Sequence, residues 1–208
     1  MTTDPRSRTG ATLLWFRGHQ DAVADWLSGG VVSADHARGD GWTVVRPASV
    51  PAGLGPYGDA LGLTLSRPVP DRVLPVVGMT VRGGLLVVAA ADGGDAELHW
   101  VVAQPGVGPH PLGDLPVCGP RHLARVAGVP DQGDAVTGLV SRGRATGADP
   151  VALGVRLAGL LGLPGAAEFR RPDPLPGSRR VEPDPREVQR FVGVLSDRLA
   201  ERAEEEER

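Results

Sequence analysis

The 208 residues carry a net charge of −3 and contain no lysine, asparagine or isoleucine, so all 22 basic residues are arginine. Glycine (30) and proline (20) abound, a bias expected of translation from a high-GC bacterial genome, because the missing residues have A/T-rich codons. The missing types exclude chemistries outright: no P-loop or kinase lysine, no Schiff-base lysine, no Ser-x-x-Lys site, no Cys-His-Asn triad and no N-glycosylation acceptor.

The chain is long enough to bury a sound core. The lack of a basic excess speaks against a nucleic-acid partner held by phosphate neutralisation. The single Cys118 cannot form an intrachain disulfide, which fits a reducing cytoplasm. The longest apolar run, Leu85–Ala91, is far below the roughly 18 residues of a membrane span.

Residues 1–10 are polar and read as a disordered N-terminus. Residues 12–17 (TLLWFR) read as a buried strand that Gly18 ends. In residues 20–27, Val23, Trp26 and Leu27 share a helical face, Asp21 suits the first turn, and Gly29-Gly30 supplies a stop. Residues 31–38 and 42–46 flank Gly39-Asp40-Gly41, a hairpin signal. Residues 59–67 are ambiguous; the alternation of Leu61, Leu63 and Leu65 favours a strand over a short helix. Residues 78–82, Gly83-Gly84 and 85–91 read as strand, turn, strand, and residues 96–104 as a third strand after another tight turn. The expected fold class is therefore α+β: a largely antiparallel sheet with one or two helices over residues 11–116, a ferredoxin-like arrangement being one version.

A helical cluster packed on that sheet is expected over residues 117–166. Pro120 suits a first helical position, Val136, Leu139 and Val140 are helically spaced, and Asp149-Pro150 starts an apolar helix ended by Pro164-Gly165. Residues 167–183, rich in proline and arginine, read as an extended linker. Residues 184–208 read as an amphipathic helix with an acidic end. Asp184, Pro185 and Glu187 form a capping-box start, and Val188, Phe191, Val192, Leu195 and Leu199 form one apolar stripe.

Two places carry functional interest. Cys118 lies just before a helix start and His122 within its first turn. They suit either a Cys/His nucleophile pair or half of a metal site, against the plainer reading of a half-buried cysteine beside a surface histidine. No further Cys or spaced His supplies the remaining ligands of a zinc site, so neither metal nor cofactor is expected. The C-terminal stripe either docks on its own domain or is presented to a partner's groove or a second copy. His19, Asp21 and Asp25 at the first strand-to-helix junction, and the pairs Arg170-Arg171 and Arg179-Arg180, read more simply as solvated charge. None of the glycine pairs 29-30, 83-84 and 93-94 follows the GxGxxG spacing between strand and helix, and they read as turns; no GxSxG is present.

The expected function is that of a non-enzymatic cytoplasmic interaction or regulatory protein that contacts a protein partner, or itself, through the stripe. The alternative is a small enzyme or small-molecule binder with a His/Asp/Arg/Cys site between the sheet and the helical cluster.

Overall fold

The computed structural model describes residues 11–48, 50, 59–93, 97–142, 149–171 and 173–206; the side chains of residues 142, 199 and 202–206 fall outside that description. The first strands and α-helices run β1 (Thr12–Phe16), α1 (Gln20–Ser28), β2 (Ala34–Gly39), β3 (Trp42–Pro47), α2 (Ala60–Thr64) and, after a 3-10 turn over Asp71–Val73, β4 (Val76–Arg82). β1 lies between β3 and β4, antiparallel to both, and β2 lies outside β3, giving the order β4-β1-β3-β2. α1 and α2 both cover the same face. This is the ferredoxin-like βαββαβ plan.

The plan is extended at both edges. β5 (Leu85–Ala91), β6 (His99–Gln104) and the two-residue β7 (Gly108–Pro109) continue beyond β4 by antiparallel pairing, and β8 (Arg179–Val181) adds to β2. The result is an eight-stranded antiparallel sheet in an α+β fold.

Both faces of the sheet are covered, which is why β1 reads as unbroken apolar sequence rather than as alternation. Leu13, Trp15, Val77, Met79, Leu86 and Val88 face α3 (Pro120–Val126), α4 (Gly133–Arg142) and α5 (Pro150–Leu160). Leu14, Phe16, Val45, Val76 and Ala89 face α1 and α2. The Trp15 indole N–H donates to the Pro164 carbonyl at 2.8 Å, tying the central strand to the chain just past α5.

Within residues 59–67 the chain forms the short helix α2, not the favoured strand. The Asp59 carboxylate caps the helix by accepting from the Leu61 N–H at 3.0 Å. The leucines alternate because both flanks are covered: Leu61 and Leu65 join the α1 face, while Leu63 packs with Val32 on the outer side. α5 ends earlier than expected, at Leu160, with Gly162 in the left-handed region at φ 64°.

The described residues of the stretch expected as a linker over 167–183 are tied into the domain. Phe169, in a 3-10 turn over Ala166–Arg170, and Leu175 are both buried in the α3–α5 core, and β8 completes the sheet. Phe169 lies so close to α5 that a Cβ on Gly154 would meet its Cε1 at 2.4 Å. The buried Arg46 of β3 holds this stretch from below: its guanidinium donates to the carbonyls of Glu168, Arg171 and Asp173. Its single apolar side chains are too widely spaced to show periodicity, and its partners are distant in sequence. α6 (Pro185–Glu206) follows immediately.

Candidate functional site

Cys118 and His122 lie at one end of the sheet–helix boundary. Pro116 and Cys118 bond to the β6 backbone: the Trp100 N–H donates to the Pro116 carbonyl and the Cys118 N–H to the Trp100 carbonyl, both at 2.8 Å. This backbone clamp turns the Cys118 side chain into the α3–α5 core, where it is 3% exposed. Burial, with a smaller contribution from the negative charge of Asp92, pushes the thiol up to about 12. Almost no thiolate exists at neutral pH, so the side chain cannot serve as an activated nucleophile in this state. Its Sγ faces the Gly119 carbonyl at 3.7 Å.

His122 meets His99, not the thiol. The two rings lie 5.2 Å apart between centroids, tilted by 41°. His99 pairs with Ala90 across the sheet and so points to the helical cluster, whereas Trp100 points to the opposite face. His99 Nδ1 lies 3.2 Å from the Glu97 carbonyl, and His122 Nε2 is buried without a hydrogen-bond partner among the described residues. Among the described residues, no three His, Cys, Asp or Glu side chains come together in a way that would hold a metal ion.

The first strand-to-helix junction is solvated. His19 Nδ1 accepts from the Asp21 N–H as the helix cap, and Asp21 and Asp25 are both exposed. The residue buried at this junction is His36, 4% exposed, whose Nδ1 lies 3.2 Å from the Gln20 side-chain nitrogen. Burial and the neighbouring Arg179 charge lower its pKa, opposed by Asp21 and Asp35. The four arginines of the two pairs are exposed, and one of each pair has an acidic partner: Arg171 meets Glu168 at 3.4 Å, and Arg180 spans Asp35, Glu182 and the Ser33 hydroxyl.

The C-terminal stripe lies against the outer side of the α1–α2 layer. Leu195 is buried with Val32 and Leu63, and Phe191 and Val31 pack partly against them. Val188 is half-buried, Val192 remains 43% exposed, and the Leu199 side chain lies outside the described residues. Val194, off the stripe, is 50% exposed. The Asp184 carboxylate caps α6 by accepting from the Arg186 N–H at 2.9 Å. The expected reciprocal half of a capping box is replaced: the Asp184 N–H donates to the Ser28 carbonyl at 2.7 Å, and the Glu187 carboxylate accepts from Arg190 at 2.9 Å. The helix start is thereby pinned to the end of α1. A second set of exposed apolar side chains, Val107, Leu115 and Val117, runs along the outer edge of β6.

Arg67 was not legible as a site residue. Its guanidinium stacks 4.5 Å over the Trp26 ring, and the Trp26 indole N–H donates to the Pro68 carbonyl at 3.1 Å. The one short-range signal was Gly29-Gly30, which sequence explains as a helix stop. A Cβ on Gly29 would lie 2.8 Å from Arg67 Nη1, so the glycine also makes room for the guanidinium.

No family model matches the chain, and no curated protein or solved structure matches it. Among the described residues, no helix is long and apolar enough to cross a membrane.

Proposed function

We propose that the chain is a non-enzymatic cytoplasmic protein that captures a protein partner through α6 and the surface on which it rests. One observation carries this reading. α6 is a 22-residue helix, about 33 Å long, yet its described side chains include one buried residue, Leu195. Val192 and Val194 flank that buried line and stay exposed. A helix committed only to its own fold would bury a broader stripe. The sealed thiol of Cys118 adds support by removing the strongest nucleophile candidate.

The test is site-specific photocrosslinking in the native host, with the photoreactive residue at position 192 or, as control, at Arg82 beside the β4–β5 turn. The reading expects a discrete protein adduct from position 192 and none from position 82. Equal labelling from both positions, or none from either, contradicts it.

A second reading, a small-molecule binder between sheet and helical cluster, draws support from the His99–His122 contact and the unpartnered His122 Nε2. Native mass spectrometry of freshly purified protein separates the two readings: a retained small molecule lost in His122→Ala favours the second.

A further inference from the structure

Arg67 leaves α2 and turns back over the end of α1. Its Nη2 is buried and finds no acceptor among the described residues. Beside it lies a cavity of about 10 Å³ bounded by Trp26, Leu27, Val31, Val32 and Thr64, room for one oxygen-sized group. A guanidinium remains protonated in a protein, so a buried N–H without an acceptor is costly. Burial weakens the hold of Arg67 on its proton, and the charge of Glu187 opposes that effect.

Glu187 stands on the first turn of α6, two-thirds shielded from solvent, and bonds to Arg190, which is 70% exposed. Glu187, Phe191 and Leu195 follow one another at intervals of four and so share a helix face. The two apolar members lie toward Val32 and Leu63, and Val32 also bounds the cavity beside Arg67.

We propose that Glu187 is the acceptor that Arg67 lacks, and that the two form a charge latch holding α6 on the domain. A rotation of the Glu187 side chain away from Arg190 exchanges an exposed i, i+3 pair for a shielded one. The latch closes the start of α6, Leu195 closes its middle, and opening both uncovers Val32, Leu63 and the Arg67–Trp26 stack. The latch rests on the docked helix and not on partner capture, so either can fail while the other stands.

The experiment is amide hydrogen exchange across residues 188–198 of the full chain, comparing wild type, Arg67→Gln, Glu187→Gln, the double variant and Arg190→Gln. Most of a helix's stability comes from its tertiary packing, so the amides of an undocked α6 exchange faster. Arg67→Gln and Glu187→Gln should each speed exchange roughly tenfold, the scale of one charged hydrogen bond, and the double variant no more than either alone. Arg190→Gln should leave exchange unchanged or slow it, because it releases Glu187 toward Arg67. Additive effects of the first two substitutions, no acceleration by either, or acceleration by Arg190→Gln would each overturn the latch. Glu187→Gln changes only a partly exposed residue on the outer helix, so the test survives if Arg67→Gln perturbs folding.

Discussion

The two faces of the sheet are closed in different ways. On one, α3, α4 and α5 meet the strands in a continuous core that also takes in Phe169 and Leu175. On the other, α1 and the short α2 form the cover, and α6 lies outside them on a cluster of three buried residues, Val32, Leu63 and Leu195. The stretch with the least helical or strand signal, residues 167–183, is thus bound into the first face by Phe169, Leu175 and the three carbonyls held by Arg46. The best-defined sequence element, α6, is the more loosely held. Local definition and tertiary anchoring are separate properties: capping and periodicity come from neighbours in sequence, anchoring from buried area and distant partners.

The comparison is sharpened most by the same substitution on each face. Leu157→Ala in α5 removes a fully buried side chain from the larger core and should cost about 3–4 kcal/mol of global stability by chemical denaturation. Leu195→Ala should cost about 1 kcal/mol or less while exposing α6 to proteolysis, because the helix can detach instead of leaving a cavity. Equal losses at the two positions would erase the distinction. Gly154→Ala should cost about 2 kcal/mol, since the added methyl meets the Phe169 ring at 2.4 Å; an unchanged midpoint would show that Phe169 is free to move.

His36 gives a smaller, pH-dependent effect on the α1 face. Its pKa is lowered from 6.5 in the folded state, chiefly by burial, so unfolding takes up a proton when the pH falls below about 6.5. Its contribution is therefore complete above that pH and is lost on acidification. His36→Gln should flatten the dependence of Tm on pH between about 5 and 7 relative to wild type; an unchanged slope would assign the effect elsewhere. The smallest expected signal is chemical: at pH 8 the native Cys118 thiol should resist iodoacetamide and react only on denaturation.

The strand and helix pattern was largely legible because its signals are local. Asp40 and Gly41, both at positive φ, form the hairpin turn that Asp-Gly announces, and Asp149-Pro150 starts α5 as its capping chemistry dictates. Residues 59–67 misled because three leucines buried on two sides of a helix imitate a strand. β8 was hidden because three residues of mixed polarity become a strand only when β2 supplies the partner. At the sites, His122 was visible from its helix start, but its partner His99 comes from β6, 23 residues earlier. Arg67 was invisible for the same reason, since Trp26 and Gly29 meet it from the end of α1 and the charge of Glu187 acts on it from α6, two distant parts of the chain.

The central claim is that α6 opens independently of the sheet and its α3–α5 cover. Native-state hydrogen exchange of the full chain, followed through increasing sub-denaturing urea, tests it most directly. The account predicts that residues 188–198 exchange by a local opening with little urea dependence, while residues 153–160 of α5 exchange only by global unfolding with a steep dependence. A single protection level and a single urea slope shared by both helices would contradict it.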